Sequence, residues 1–239
     1  MKTNRILACL FVSFIISAGL SAQSADDVIK DYIKAIGGKK KLNKITSLKM
    51  ESQIESDMFE ATAVTTVLTG KGYKMDMDVM GYQVETCFTD EGGWTTDPMS
   101  GSTIQMPDDQ YKIGKGAIYV AGPFEKYKDL GLSAEMVGRA EVNGVNTYHV
   151  RFTVDGTDIS TDHYFDPDTH LLIRTTAVVD NQGSEMEAIT DYKDYIEIDG
   201  GIKLAHVQEI DYGGQMSMTN TIGTVEVNLP VDPGIFVSK

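Results

Sequence analysis

The sequence has 239 residues and a formal net charge of −14 at neutral pH. The excess of acidic residues excludes recognition of nucleic acid through a basic surface, because that kind of binding depends on neutralising phosphates. Beyond the N-terminal leader described next, no apolar stretch of the sequence is long enough to span a bilayer.

Residues 1–24 have the three-part layout of a secretory signal peptide. A basic start is followed by an apolar run over residues 6–16 and then by small residues. This apolar run is too short for a membrane span. Cleavage is expected after Ala22 or after Ser24, which predicts an exported, periplasmic protein.

The expected mature chain, residues 25–239, is interpreted as one domain. Its only cysteine is Cys87, so no intramolecular disulfide can form and a sizeable apolar core must stabilise the fold. A lipid anchor is the weaker alternative to a cleaved leader, because Cys9 stands at the start of the apolar run instead of after it. Loss of the leader removes two basic residues and no acid, which lowers the formal charge to −16.

One amphipathic helix is predicted at the start of the mature chain. Ser24 is a favourable N-cap residue, and the acidic Asp26 and Asp27 suit the first turn. Gly37 and Gly38 provide the expected stop. The apolar positions recur at helical spacing: Val28, Ile29, Tyr32, Ile33 and Ile36.

From Ile45 onward the apolar period changes to two. The segment YKMDMDV (residues 73–79) alternates apolar and charged side chains, and residues 82–88, 146–154 and 202–211 alternate in a similar way. Such alternation is typical of antiparallel strands with one dry and one wet face. Turn residues between the segments predict about ten strands in a meander or barrel.

Residues 107–131 interrupt this pattern. Their apolar side chains do not follow a period of two, which favours one or two short helices or a covering loop. The predicted fold class is therefore mainly β within α+β. We expect a long, curved antiparallel sheet that is covered by the N-terminal helix and by the central helical insertion.

Histidine and aspartate residues gather around residues 166–169 (DPDT), where a metal site and a hairpin corner are alternative interpretations. DPDT fits a type I turn, since aspartate is favoured at the first position and proline at the second. In that register His163 and His170 would share one strand face in a diagonal arrangement. The turn accounts for both aspartates, and no tight histidine pair is present, so the hairpin is favoured and no metal is expected.

No catalytic or cofactor-binding motif occurs in the sequence. Cys87 has no nearby base that would activate its thiol. His149 and His206 are interpreted as strand residues, and Trp94 as a core or strand-end residue, with ligand stacking as the alternative. The protein is therefore expected to be neither an enzyme nor dependent on a cofactor.

Three segments, taken in order, resemble the LolA-like family of periplasmic carriers of outer-membrane lipoproteins. AEVNGVNTYHVRF (residues 140–152) is similar to the glycine turn and aromatic strand of these proteins, and YFDPDTHLLIR (164–174) to their hairpin. DYKDYIEIDGGIKLAHVQEIDY (191–212) is similar to their closing unit. Each motif alone is mostly turn chemistry, and the order of the elements extends the resemblance over residues 25–236.

The resemblance implies an incomplete β-barrel whose concave apolar face, closed by a helical lid, holds acyl chains. The many methionines suit such a face, because their flexible side chains adapt to irregular apolar surfaces, although a filled core is the alternative. The strand residues expected to line the cavity are Met75, Met77, Tyr82, Val84, Phe88, Val150, Phe152, Tyr164 and Ile173. The residues expected on the underside of the lid are Val28, Tyr32, Ile33 and Ile36.

The sequence departs from the family in one respect. The family's lipoprotein carrier uses an arginine near its cavity to hold the lid closed, and none of Arg139, Arg151 and Arg174 matches that position. The partners implied are lipoprotein acyl chains or another lipid, together with transport proteins of the inner and outer membranes. The carrier would act as a monomer, and its release step would depend on a receptor that stabilises the open lid.

Two functions from different classes follow. The leading hypothesis is a carrier that shields acyl chains for transfer toward the outer membrane. The alternative is a non-enzymatic structural or interaction module of the cell envelope, with a filled core and an acidic binding rim. A third function, a hydrolase with scattered catalytic residues, has no positive support in the sequence.

Overall fold

The computed structural model describes residues 23–97, 100–181 and 184–238. The predicted leader, including the cleavage site after Ala22, lies outside these ranges apart from its last two residues. None of the helices in the three ranges is both long and apolar enough to cross a membrane.

Helix α1 (Ala25–Ala35) has the boundaries that its capping residues predict. The Ser24 hydroxyl accepts a hydrogen bond from the Asp27 N–H, and the Asp27 carboxylate accepts one from the Ser24 N–H, which completes a capping box. Gly37, with a φ of 127°, ends the helix in a conformation that residues with a side chain rarely adopt. A second helix, α2 (Lys39–Leu42), follows.

Thirteen antiparallel strands form one sheet in the described part of the chain. The N-terminal half contributes β1 (Ser47–Ser56), β2 (Glu60–Leu68), β3 (Gly72–Val79), β4 (Tyr82–Thr89), β5 (Gly93–Thr96) and β6 (Thr103–Gln105). The C-terminal half contributes β7 (Leu132–Val142), β8 (Val145–Val154), β9 (Ser160–Phe165), β10 (Leu172–Asn181), β11 (Ser184–Ile198), β12 (Ile202–Tyr212) and β13 (Met216–Val227). Each half is a meander, and the pairing of β1 with β13 joins them and leaves β6 and β7 as free edges. The predicted open antiparallel sheet is confirmed, with thirteen strands where about ten were expected.

Cross-strand pairing assigns the strand side chains to an inner or an outer face, because paired residues point to the same side. In the N-terminal half, Val67 pairs with Tyr73. In the C-terminal half, Val150 pairs with His163, and His163 pairs with Thr175. These side chains lie on the inner face, which is the face that the helices cover.

The central insertion is helical and packs on the inner face, as predicted. It contains α3 (Asp108–Gly114) and two 3₁₀ helices, Lys115–Ile118 and Gly122–Glu125. The Phe124 ring packs edge-on against Tyr32 of α1 and against Phe152 and Phe165 of the sheet, with ring centroids 4.8 to 5.7 Å apart. This is a favourable aromatic geometry, and it joins the N-terminal helix, the insertion and the sheet in one core.

The hairpin between β9 and β10 is present, and its aspartate acts as predicted. The Asp166 carboxylate accepts hydrogen bonds from the N–H groups of Asp168 and Thr169. No group of potential ligands within the described ranges could hold a metal ion. The Asp166 hydrogen bonds and the pairing of β9 with β10 confirm the hairpin interpretation of this corner.

The register of that hairpin differs from the predicted one. The connection is longer than a two-residue turn, since the Asp166 N–H bonds the Leu171 carbonyl, and a bulge in β10 follows. His163 therefore pairs with Thr175, while His170 lies in the turn with a φ of 59°. The expectation that the two histidines share a strand face is wrong.

The C-terminal segment covers part of the outer face. The carbonyl oxygen of Phe236, in the 3₁₀ helix Pro233–Phe236, accepts hydrogen bonds from the Trp94 indole at 3.0 Å and from the Cys87 thiol at 3.5 Å. Cys87, Trp94 and Phe236 form a buried cluster separate from the core beneath α1. Burial raises the pKa of the Cys87 thiol to about 12, so the thiol stays protonated. Trp94 is thus a core residue.

Candidate binding cavity

Two adjoining cavities lie between the inner face of the sheet and its helical cover. The larger, of ≈ 400 Å³, lies beneath α1 and the insertion, against β1–β3 and β9–β13. The smaller, of ≈ 370 Å³, lies beneath α3 against β7–β11. Both volumes are in the range of small-molecule sites. The residues common to both walls are Ala117, Gly122, Pro123, His163, Thr175 and Tyr192.

The cavity walls are apolar or uncharged, apart from one lysine. Among the described residues that line the larger cavity, only Lys203 carries a charge, and the described wall of the smaller cavity has no charged residue. No carboxylate therefore lines either wall in the described ranges, although the sequence contains 35 acidic residues. Such walls suit an apolar ligand, because burying an unpaired charge is costly.

Three tyrosines and one histidine of the walls are neutral near pH 7. Burial raises the pKa of Tyr32, Tyr192 and Tyr195 above the ordinary tyrosine value, and the Tyr195 hydroxyl donates to the Leu172 carbonyl at 2.9 Å. His163 lies in the wall that the two cavities share. Burial lowers the pKa of His163 to about 4, so its imidazole is uncharged at neutral pH.

Helix α1 is held over the larger cavity at both of its ends. At the N-terminal end, the Asp26 carboxylate accepts hydrogen bonds from the Tyr127 hydroxyl and, at 3.2 Å, from the Lys128 ammonium group. At the C-terminal end, the Ile36 carbonyl accepts a hydrogen bond from the Lys203 N–H at 2.9 Å. The helix is therefore attached to the insertion and to β12.

The three arginines make other contacts. Arg151 pairs with Asp162, and Arg174 pairs with Asp191 at 2.6 Å. Arg139 donates to a backbone carbonyl and lies over the ring of Tyr148, with 3.7 Å between its guanidinium carbon and the ring centroid. None of these contacts reaches α1, so Tyr127 and Lys128 hold the N-terminal end of the helix here.

The structure places three of the predicted residues in the cavity walls. Tyr32 and Ile36 line the larger cavity, and Phe152 lines the smaller one. Three more predicted residues are buried in the surrounding core without lining either cavity: Val28, Ile33 and Val150.

Four predicted residues lie on the inner face of the N-terminal half, outside both cavities. Met75 and Met77 pack in a second apolar cluster with Ile54, and Val84 pairs with Met77. The Phe88 ring lies beneath Gly114 of α3, where an added Cβ would come within 2.3 Å of it. That close approach explains why a glycine stands at this point of the insertion.

The remaining three predicted residues lie away from both cavities. Tyr82 is 77% exposed at the β3–β4 hairpin, and Ile173 is half-buried at the bulge of β10. Tyr164 pairs with Arg174 and stacks on His149 on the outer face, with ring centroids 4.6 Å apart. A strand residue adjacent to an inward one points outward, and this corrects the expected position of Tyr164.

Most of the residues that line the cavities were not predicted from the sequence. His163 was interpreted only as a hairpin residue, although its alternation with Phe165 in DHYF (residues 162–165) is a signal for the inner face. The wall residues contributed by the insertion carry no periodic signal. Three polar wall residues on other strands are likewise not marked by any sequence pattern that predicts a cavity: Thr175, Tyr192 and Gln208.

Comparison with known proteins gives matches at the level of structure. No family model and no curated protein matches the sequence. A DUF1329 family protein from Desulfovibrio piger has a TM-score of 0.58 at 11% identity, over 89% of this chain and 97% of that chain. A LolA superfamily protein from Nitrosomonas europaea has a TM-score of 0.59 at 7% identity, over 90% and 98%.

A third solved structure is a domain from Vibrio parahaemolyticus assigned to outer-membrane lipoprotein sorting. Its TM-score is 0.53 at 12% identity, over 89% of this chain and 95% of that chain. At sequence identities this low, the similarity supports a shared fold only. The similarities cover nearly the whole length of each neighbour, as expected for a shared sheet and cover. The chain therefore has a LolA-like fold.

Proposed function

We propose that this protein is a carrier that shields the acyl chain of a lipid or lipoprotein in the two adjoining cavities. The observation that carries the proposal is that the described walls contain no carboxylate and only one charged side chain, Lys203, in so acidic a protein. Each methylene group moved from water onto an apolar wall contributes about 0.8 kcal/mol. A sheltered chain of about ten carbons therefore gains roughly 8 kcal/mol, before the cost of ordering the chain.

The LolA-like fold further supports a role in transferring the bound lipid or lipoprotein between membranes. The Vibrio parahaemolyticus domain is assigned to lipoprotein sorting, and the same role here would place this protein in the periplasm as a monomer. Transport proteins of the two membranes would then load and unload it. Release would follow from differential affinity, since a receptor that binds the form with the Asp26 contacts broken would open the cavity.

The proposal is tested by a variant that fills the cavities. Ala117 belongs to both walls, so Ala117→Phe places a phenyl ring in the space that cargo would occupy. Thr62→Phe adds the same ring at an exposed position on the outer face of β2 and is the matched control. A fluorescent fatty-acid probe should bind the wild type and Thr62→Phe about tenfold more tightly than Ala117→Phe, a difference of about 1.4 kcal/mol.

Native mass spectrometry of the purified wild type gives a second readout. We expect a mass excess that organic extraction resolves into acyl-bearing molecules. An apo mass together with no probe uptake by the wild type would contradict the carrier and favour the interaction module. Circular dichroism spectra of the two variants establish that the sheet persists.

A further inference from the structure

A row of uncharged polar side chains crosses the apolar inner face of the C-terminal half. It consists of one residue from each of five neighbouring strands, β9 to β13: His163, Thr175, Tyr192, Gln208 and Asn220. The first four line the larger cavity, and the fifth pairs with Gln208. We call these five residues the inner polar row.

The central residues of the row are linked to one another by strand pairing and by hydrogen bonds. Tyr192 pairs with Gln208 across β11 and β12, and the Thr175 and Tyr192 hydroxyls are 3.4 Å apart. The Asn220 amide donates to the Gln208 side-chain oxygen at 3.4 Å. The polar groups in the middle of the row therefore satisfy each other.

The two ends of the row have no such partner. His163 Nδ1 and Asn220 Oδ1 are buried, and neither makes a hydrogen bond of ordinary geometry with a described residue, although the Thr161 backbone is near enough to the imidazole to oppose the lowering of its pKa. Only 7% of His163 is exposed, and its ring lies edge-on to Phe124 and Phe152. Because buried polar atoms in native proteins are almost always hydrogen-bonded, the open position at His163, which lines both cavities, points to a ligand that completes it.

The charge of the row narrows the chemistry of that ligand. The imidazole of His163 is neutral, because burial lowers its pKa to about 4 although the charge of Asp162 acts in the opposite direction. Lys203, the only charged side chain among the described residues of the larger wall, is exposed to solvent and lies five residues from Gln208 along β12, about 16 Å at the rise of a strand. The row itself therefore has no charge to pair with a carboxylate or a phosphate, and it matches a neutral polar group better.

We propose that the inner polar row binds the hydroxyl groups of an uncharged amphiphile, of the acylglycerol or hydroxyacyl class, whose hydrocarbon chain occupies the apolar walls. A hydroxyl group both donates and accepts, so it can satisfy either tautomer of His163. A fatty-acid carboxylate only accepts and loses its hydration in an apolar cavity. This inference rests on the carrier function and names the class of its cargo.

The test compares two lipids with the same acyl chain as competitors of a fluorescent fatty-acid probe. For the wild type, 1-monopalmitoylglycerol should displace the probe at a concentration about tenfold lower than palmitate does. His163→Leu should weaken monopalmitoylglycerol binding about fivefold, the effect of one lost hydrogen bond, with palmitate changed less than about twofold. His163→Gln keeps a hydrogen-bonding group and should retain most of the preference.

Asn220→Leu is the matched control, because it makes the same polar-to-leucine change at the end of the row that lines neither cavity. It should leave both affinities unchanged. If both lipids bind and the wild type does not prefer monopalmitoylglycerol, or if His163→Leu weakens both lipids equally, the polar-row inference is overturned and the carrier stands. If neither lipid nor the probe binds the wild type, both proposals are overturned. Melting temperatures identify a variant that fails to fold, in which case His163→Gln and the wild-type preference decide.

Discussion

Replacing Phe236 with alanine should uncover the thiol of Cys87. Phe236 is buried against Gly72, where an added Cβ would come within 2.6 Å of the phenyl ring, so the ring fits closely on the outer face of β3. Its carbonyl oxygen also lies 3.5 Å from the Cys87 sulfur. Loss of the ring therefore weakens the attachment of the whole segment that covers the cysteine.

The magnitude follows from burial. Replacing a buried phenylalanine by alanine costs about 3 to 5 kcal/mol. If the local opening of the C-terminal segment becomes more favourable by about 3 kcal/mol, the exposed population rises on the order of a hundredfold. Once exposed, the thiol regains an ordinary pKa in place of one of about 12, so the open form is the reactive one.

An aromatic disulfide reagent measures this opening by absorbance under native conditions. Cys87 is the only cysteine once residues 1–24 are removed, so the signal has a single source. Phe236→Ala should react about a hundredfold faster than the wild type, while Val237→Ala, at a neighbouring residue that is 67% exposed, should react at the wild-type rate. Equal rates for the wild type and Phe236→Ala would refute the assignment of this segment as the cover of Cys87.

Two further predictions concern the covered face. Burial lowers the pKa of His163 to about 4, so its contribution to stability is complete above the unfolded value of 6.5 and is lost as the pH falls through 4. In urea titrations, the free energy of unfolding of His163→Leu should therefore fall by about 2 to 3 kcal/mol less than that of the wild type between pH 7.5 and pH 4.5. Equal decreases in the two proteins would contradict this. Tyr127→Phe removes the hydroxyl that donates to Asp26, which should destabilise the attachment of α1 by about 1 kcal/mol. Amide hydrogen exchange should then become faster in α1 relative to β8. Unchanged exchange in α1 would show that this hydrogen bond does not hold the helix in place.

Local chemistry made much of the fold predictable. Ser24 and Asp27 form the capping box that begins α1, and the bonds of Asp166 to the following N–H groups form the expected corner. The alternation over residues 73–79 and 146–154 identified strands whose pairing then formed a single open sheet. Each of these features depends on neighbours in the sequence.

The cavity was less predictable, because its position depends on where the insertion packs. Met75 and Phe152 have similar alternating surroundings in the sequence, and both point to the inner face. Only Phe152 lines a cavity, since the insertion residues that enclose it lie over the C-terminal half of the sheet. Tyr164 illustrates a second difficulty of prediction from sequence. Successive strand residues point to opposite faces, so an error of one residue in the alternation assigns a side chain to the wrong face of the sheet.

The pairing of β1 with β13 determines when the larger cavity can form during folding. The Thr46 N–H beside β1 donates to the side chain of Asn228 at 2.7 Å, across 182 positions of the chain. Contacts of such long range form slowly, and until β13 is available β1 presents an unpaired edge that other chains can join. Since strands from both halves line the larger cavity, that cavity is complete only after the last strand has paired.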